Sequence, residues 1–179
     1  MVVLDVNDFS VLCAQSYPNY DLDKYMNDPQ YREDLLLNKD GQNAMWNRCF
    51  WQGYPIGSAM KPAVALAALQ EGVIDTSTQF RCGYTYYNAD MPDFHPLCMG
   101  THGYLNVIEA LTVSCNIFFY DTGYNLGIDN MNLYQRKLGL GELTGVEIYE
   151  SDGTLAGPDE KRTGTAEIPS WRPSASRIT

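Results

Sequence analysis

Two side chains near the middle of the chain have the spacing of a nucleophile and its base. Ser58 and Lys61 lie three residues apart, so at the opening of a helix they share one face. A serine hydroxyl is a weak nucleophile until a neighbour takes its proton, and a lysine can take it only when its pKa is lowered, chiefly by burial. On its own the pattern is also that of a serine N-cap followed by an exposed lysine.

A second group of polar side chains begins 56 residues after Ser58. Ser114, Cys115 and Asn116 directly follow a predicted helix, so they lie in a turn. The Ser114 hydroxyl could relay a proton, and the Asn116 amide could hold a substrate carbonyl. The same triplet is also compatible with a helix end joined to the N-cap of the next helix.

The elements that must position these side chains are mostly helices with recognisable ends. Gly72 is expected to stop the first helix, and Asn106 with Glu109 resembles a capping box at the second. The predicted helices run from about Ser58 to Glu71, from Asn106 to Val113, from Ile117 to Leu126, from Met131 to Leu138 with Asp129 as the cap, and over a short stretch near Tyr31–Leu37. Strands are predicted at Val2–Val6, Val11–Ala14 and Val146–Tyr149. This order predicts an α+β or mixed α/β fold.

The cysteine count is odd, and three arrangements stay open. The five residues are Cys13, Cys49, Cys82, Cys98 and Cys115. A Cys82–Cys98 disulfide would close a loop of about 16 residues, contribute roughly 3 kcal/mol and require an oxidising compartment. Zinc held by Cys82, Cys98, His95 and His102 is a second arrangement, although no Cys-x-x-Cys pair supports it. Buried, unpaired thiols are the third.

Composition excludes some classes of partner. The 179 residues carry a formal net charge of −10, which disfavours binding to phosphate backbones and to anionic membranes. A hydrophobic fraction of 45% indicates a globular chain. The start lacks a basic signal region, and the longest apolar run, Pro62–Leu69, is far shorter than the roughly 20 residues of a membrane span, so we expect a soluble chain. Both ends suggest a piece of a longer protein.

Several motifs together resemble the transpeptidase domain of penicillin-binding proteins, most closely the monofunctional class B type. They are Tyr54–Pro62, Leu66–Gly72, Glu109–Tyr120, Leu126–Asp129, Leu138–Gly141 and Thr144–Ile148. They occur in the family's order, so the resemblance covers nearly the whole chain. It implies the serine β-lactamase/transpeptidase-like fold, as a helical block with an incomplete antiparallel sheet.

The resemblance also implies a role for each polar side chain. Ser58 would be the acylated nucleophile, Lys61 the general base, Ser114 the proton relay to the leaving group, and Asn116 the residue that holds the substrate's amide backbone. The implied reaction cross-links peptidoglycan by attack on the D-Ala-D-Ala bond of stem peptides, and β-lactams acylate the same serine. No cofactor and no metal are implied. The intact protein would act at the outer face of the cytoplasmic membrane through a tether absent from this chain. A β-lactam-sensing receptor and a non-catalytic scaffolding module of the same fold are the alternatives.

The chain departs from the family pattern at two places. Ile56 stands where proline usually precedes the Gly-Ser pair. The family's third element, Lys-Thr/Ser-Gly, has one similar string at Lys161–Glu167, but Arg162 takes the place of the lysine. Only 47 residues separate Asn116 from Thr163, fewer than the family has. We therefore expect residues 1–179 to be a single, incomplete transpeptidase domain that corresponds to the N-terminal portion of the complete domain. We do not expect Thr163-Gly164 to be the third element. A chain without that element can be inactive by itself.

Overall fold

The computed structural model describes residues 1–155 and 157, which fall into two units. The first unit consists of Met1–Gly53 and Leu143–Ser151. The second unit consists of Tyr54–Glu142 and, among the described residues that follow, 152–155 and 157. Both predicted catalytic motifs belong to the second unit.

The first unit begins with the predicted strand pair. Strand β1 (Val2–Leu4) runs antiparallel to β2 (Val11–Ala14), with Val3 opposite Cys13. The first strand ends two residues earlier than predicted because Asp5 starts the turn: its carboxylate accepts hydrogen bonds from the backbone and the side chain of Asn7.

Two short helices follow where the sequence predicted one. Helix α1 spans Leu22–Asn27 and helix α2 spans Pro29–Leu36. Each begins at an aspartate N-cap, Asp21 and Asp28, whose carboxylate accepts from the first turn. The predicted strand at Val146–Tyr149 is wrong, because the Glu150 carboxylate folds this segment by accepting from the Thr144 hydroxyl and the Gly145 N–H.

The second unit is a helical block whose core lies between α3, α5 and α6. Its helices are α3 (Lys61–Gln70), α4 (Val107–Thr112), α5 (Asn116–Leu126) and α6 (Ile128–Lys137). Helix α3 packs on α5 and α6, and it faces the core with the small side chains of Ala65, Ala67 and Ala68. Small residues at this face let the backbones approach closely, which brings the start of α3 near the start of α5.

The ends of these helices follow their sequence signals, with two differences. A 3₁₀ helix (Gly57–Met60) precedes α3, so Ser58 lies in this tighter turn and not in the α-helix itself. Gly72 ends α3 at φ +67°, and the Asn106–Glu109 capping box of α4 is formed, both as predicted. Helix α6, however, has Gly127 as its N-cap, and Asp129 lies in the first turn.

A second small sheet lies where the sequence predicted no strand. Strand β3 (Phe80–Cys82) pairs antiparallel with β4 (Gly103–Leu105), with Arg81 opposite Tyr104. The β3 strand packs on α5, and the rings of Phe80 and Phe118 lie 5.2 Å apart. No strand was predicted here, because three residues are too few to show an alternating pattern.

Candidate active site

The amine of Lys61 joins the two predicted catalytic motifs. Lys61 is the first residue of α3, and its Nζ donates hydrogen bonds to the Ser114 carbonyl oxygen at 2.6 Å and to Ser114 Oγ at 2.9 Å. It also donates to Asn116 Oδ1 at 2.7 Å. Three acceptors match the three N–H groups of a lysine ammonium. The packing of α3 on α5 therefore brings Lys61, Ser114 and Asn116 together.

The surroundings of Lys61 favour its neutral form more than water does. Only 9% of the residue is exposed, and this burial lowers the pKa of the amine from its usual value of 10.5. The Phe119 ring centroid lies 5.7 Å from Nζ and offers a weak attraction to the charged form. A lysine in such surroundings is suited to take a proton.

Ser58 lies on the same cavity as Lys61 and Asn116. The cavity has a volume of about 240 Å³, and Phe119 and Tyr120 form part of its apolar wall. The Lys61 backbone N–H donates to the Ser58 carbonyl, which fixes the two residues one turn apart. Within the described residues, no hydrogen bond joins the Ser58 side chain to Lys61. The structure thus places Ser58 on one cavity with Lys61 and Asn116, while the catalytic roles of the four residues stay predictions.

Ser114 occupies an unusual backbone conformation. Its φ is +52°, in the left-handed region that favours glycine. The Ser114 N–H donates to the Leu111 carbonyl, and the Cys115 N–H donates to the Ala110 carbonyl. These two bonds form a Schellman turn at the end of α4, with serine at the position that usually holds glycine.

The left-handed conformation of Ser114 has a structural consequence at Lys61. Through it, both the carbonyl and the hydroxyl of Ser114 reach Lys61 Nζ. A left-handed non-glycine residue costs about 1–2 kcal/mol, and such outliers cluster at functional sites. Glycine would relieve the strain but would remove the hydroxyl.

Three thiols and an imidazole form a cluster behind the Ser114–Asn116 turn. The ligand atoms of Cys82, Cys98, His102 and Cys115 all lie within 4.8 Å of one another. The Cys98 and Cys115 sulfurs are 3.9 Å apart. His102 Nδ1 lies 3.5 Å from the Cys82 sulfur and 3.6 Å from the Cys98 sulfur.

The three separations of 3.5, 3.6 and 3.9 Å fit a tetrahedral Zn²⁺ with a Cys₃His donor set. Zn–S bonds of about 2.3 Å and Zn–N bonds of about 2.0 Å place two sulfurs about 3.8 Å apart, and a sulfur and a nitrogen about 3.5 Å apart. The donors are mostly buried, and thiolate with imidazole is the chemistry that zinc prefers. The ion would hold the cluster together and would take no direct part at Ser58.

The protonation of the thiols is uneven. Burial acts to raise the pKa of the Cys98 thiol, but backbone hydrogen bonds from Gly100, Asn116 and Ile117 outweigh it, so the pKa is lowered. Two of these donors belong to the first turn of α5, where unpaired N–H groups stabilise an anion. Burial raises the pKa of the Cys115 thiol. Cys98 is therefore the sulfur of this pair that ionises more readily.

Of the three arrangements that the sequence left open, the structure shows buried, unpaired thiols at Cys82 and Cys98. Cys82 and Cys98 are free thiols in the structure, so there is no disulfide between them. His95 lies apart from the cluster, with Nδ1 3.2 Å from the Tyr86 carbonyl oxygen. Cys115 takes the fourth position, and it was missed because it lies inside the Ser-x-Asn motif without a nearby cysteine or histidine. The prediction that the chemistry uses no metal or cofactor stays a prediction.

The third expected element cannot be located in the same way. The string at Lys161–Glu167, with Thr163-Gly164, lies outside the described residues.

In the described part of the chain, no helix has the length and apolar character that a bilayer span requires.

Comparison with known proteins agrees with the order of these motifs. Residues 1–168 match the family model described as the penicillin-binding protein transpeptidase domain. The peptidoglycan D,D-transpeptidase MrdA of Acinetobacter baumannii is 29% identical over 163 residues, which are 90% of this chain and 24% of that protein. The MrdA protein of Haemophilus influenzae is 33% identical over 151 residues, which are 84% of this chain and 23% of that protein. The chain therefore spans about a quarter of the length of these curated relatives.

Solved structures with the same arrangement are also penicillin-binding proteins. PBP2 from Helicobacter pylori matches with a TM-score of 0.80 at 26% identity, over 99% of this chain and 33% of that one. Pseudomonas aeruginosa PBP2, solved in complex with WCK 5153, matches with a TM-score of 0.75 at 27% identity, over 92% of this chain and 37% of that one. The fold predicted from the sequence is confirmed.

Two substitutions at Ser114 should separate backbone strain from hydroxyl chemistry. Ser114→Gly and Ser114→Ala both remove the hydroxyl from Lys61, but only glycine adopts the left-handed backbone freely. We expect the free energy of unfolding of Ser114→Gly, measured by denaturant titration, to be about 1 kcal/mol higher than that of Ser114→Ala, so the glycine variant is the more stable. Equal stability of the two variants would contradict the strained turn.

The cluster should bind zinc in this chain. We expect uptake of one Zn²⁺, measured by metal analysis after dialysis, and its loss in Cys82→Ser and His102→Ala. At free Zn²⁺ of about 100 times Kd, the ion should add about 2.7 kcal/mol to the free energy of unfolding. His95→Ala is the matched control and should keep the metal, so equal loss in the two histidine variants would contradict the assigned ligand set.

Proposed function

The chain belongs to the penicillin-binding protein transpeptidase domain family, and we propose that Ser58 is its acylated nucleophile in peptidoglycan cross-linking. One observation carries the proposal: a buried lysine amine, hydrogen-bonded to Ser114 and Asn116, shares a cavity with a serine one turn earlier. This arrangement provides a nucleophile, a base and a substrate-binding amide on one cavity, with the Ser114 hydroxyl bonded to the base.

The acylation step follows from the order of these groups. The neutral Lys61 amine takes the proton of Ser58 as Oγ attacks the carbonyl carbon of a D-Ala-D-Ala bond. The Ser114 hydroxyl lies 2.9 Å from Lys61 Nζ, so it can pass that proton to the nitrogen of the departing D-Ala. The C–N bond breaks, D-alanine leaves, and an ester joins the peptide to Ser58.

Deacylation uses the same groups in the opposite direction. An amine of a second stem peptide attacks the ester carbonyl and gives a proton to Lys61, and Ser58 Oγ regains a proton as the ester bond breaks. A new peptide bond joins the two strands, and the site returns to its starting protonation. A β-lactam would enter the first step in place of the stem peptide.

Asn116 is suited to hold the substrate. Its Oδ1 accepts from Lys61, and one N–H of its amide donates to the Leu97 carbonyl at 3.1 Å. Within the described residues, no acceptor engages the second N–H of that amide, and Asn116 lines the cavity. That N–H can therefore donate to a backbone carbonyl of the bound peptide.

The relatives support the proposed substrates. The curated relatives are named peptidoglycan D,D-transpeptidases. We assign the same reaction class to the protein that contains this chain, with stem peptides as substrates and β-lactams as acylating inhibitors. That protein would act at the outer face of the bacterial cytoplasmic membrane, where peptidoglycan strands are joined.

Covalent labelling tests the nucleophile. The native protein that contains this chain is incubated with a fluorescent penicillin, and the label is located by peptide mass analysis. We expect one label on Ser58, its loss in Ser58→Ala, and unchanged labelling in the control Ser10→Ala, which alters an exposed serine of the first unit. An unlabelled native protein, or label that persists in Ser58→Ala, would contradict the proposal. Turnover of a D-Ala-D-Ala peptide separates a transpeptidase from a receptor that is only acylated.

The pH dependence of acylation tests the base. Because burial lowers the Lys61 pKa below 10.5, the neutral amine forms at lower pH than in an ordinary lysine, and the acylation rate should rise with pH through that lowered value. Lys61→Arg cannot deprotonate, so we expect it to lose this rise together with nearly all acylation. The control Lys39→Arg, at an exposed lysine, should keep the native profile. A rate independent of pH, or a rise retained in Lys61→Arg, would exclude Lys61 as the base.

A further inference from the structure

We propose that Leu97 and Cys98, which lie outside both sequence motifs, position Asn116 for the reaction. The proposal rests on the proposed function, because it concerns how the substrate-holding amide of that function is aimed. It assigns a positioning role to a segment whose Cys98 lies 18 residues before Asn116. One contact of this segment is with the backbone N–H of Asn116, and the other is with its side-chain amide.

The backbone contact supplies a missing helix cap. Asn116 is the first residue of α5, and the first N–H groups of a helix have no partner within it. Cys115 occupies the N-cap position, but its side chain makes no capping hydrogen bond. Instead the Asn116 N–H donates to the Cys98 sulfur at 3.3 Å. Cys98 thus caps α5 from a different part of the chain.

The side-chain contact fixes which way the Asn116 amide faces. Its Nδ2 donates to the Leu97 carbonyl oxygen at 3.1 Å, while its Oδ1 accepts from Lys61 at 2.7 Å. A flipped amide would set its NH₂ against the lysine ammonium and its oxygen against the Leu97 carbonyl. Leu97 and Lys61 therefore select one orientation between them.

The segment that makes these contacts is itself held on its other side. The Cys98 N–H donates to the Tyr84 carbonyl at 2.8 Å, and the Tyr86 N–H donates to the Pro96 carbonyl at 3.0 Å. Thr85 and Leu97 form a β-bridge between these two bonds. The Leu97 carbonyl and the buried Cys98 sulfur therefore approach Asn116 from a paired backbone and not from a free loop.

Loss of the Cys98 contact has a specific consequence. The Asn116 N–H would be left without its sulfur acceptor at a largely buried helix start, and the first turn of α5 would open more often. Since Asn116 provides one of the three acceptors of the Lys61 amine, its displacement would disturb the lysine as well. The effect should be strongest at Asn116 and weak in the body of α5.

Amide hydrogen exchange and side-chain amide signals, followed by NMR on the ¹⁵N-labelled chain, test the proposal. In Cys98→Ala we expect exchange at the Asn116 N–H to be about two- to tenfold faster, the range for one lost hydrogen bond. The two Asn116 side-chain amide protons, of which one bonds Leu97, should move closer together in chemical shift. Cys98→Ser keeps an acceptor and should recover part of the protection. The buried Thr122 amide within α5 should keep its protection in every variant, which reports that the helix is folded.

A matched variant separates positioning from the stability of the thiol cluster. Cys82→Ser alters the same cluster, but Cys82 makes no hydrogen bond to Asn116, since its sulfur contacts the Gly100 carbonyl and His102. With every variant compared after a chelator has removed zinc, we expect native protection at Asn116 in Cys82→Ser. Equal loss in Cys82→Ser and Cys98→Ala, or native exchange in Cys98→Ala, would overturn the proposal.

The same variants show whether the positioning serves the reaction. Penicillin acylation should slow in Cys98→Ala more than in Cys82→Ser, with partial recovery in Cys98→Ser. Equal rates in all three variants would overturn the link to the reaction. Failure of the native protein to be acylated would instead contradict the proposed function, and the exchange data would still decide whether Cys98 positions Asn116.

Discussion

The burial of one lysine amine is the constraint on which this site depends. A charged amine taken out of water is costly unless its donors are satisfied, and Lys61 meets that demand with two oxygens of Ser114 and one of Asn116. Both partners belong to the turn that joins α4 to α5, so the start of α3 must lie against that turn. The alanines of α3 make this close approach possible, and the packing of the helical block and the chemistry of the site are consequences of the same contact.

The turn that meets the lysine is not the most stable turn that the backbone could form. A Schellman turn favours glycine at the position of Ser114, and serine there carries a φ of +52°. The retained hydroxyl lies 2.9 Å from Lys61 Nζ, where it can serve the proposed proton relay. Local stability therefore favours glycine at this residue, while the proposed chemistry requires the serine hydroxyl.

Sequence reasoning recovered those parts of the molecule that leave a local signal. The helix of alanine and leucine after Lys61, the capping box at Asn106 and the two polar motifs each depend on residues within a few positions of one another. Strands β3 and β4 left no such signal, because each has three residues and is held by tertiary packing. The thiol cluster was missed for a related reason: Cys115 is 33 residues from Cys82, and only the packing of α5 on β3 brings them together.

Asn116 is where the predictable and the unpredictable parts meet. From one side it accepts from Lys61, which belongs to the other predicted motif, and from the other side it is held by Leu97 and Cys98, which no motif contains. Helix α5 has no side-chain cap of its own to accept from the Asn116 backbone N–H, and Lys61 alone would hold the Asn116 side-chain amide. The Cys98 sulfur accepts from the backbone N–H and the Leu97 carbonyl accepts from the side-chain NH₂, so each satisfies a donor that α5 cannot satisfy by itself. The orientation of the Asn116 side-chain amide therefore depends on several parts of the second unit, although the predicted catalytic side chains lie in two short motifs.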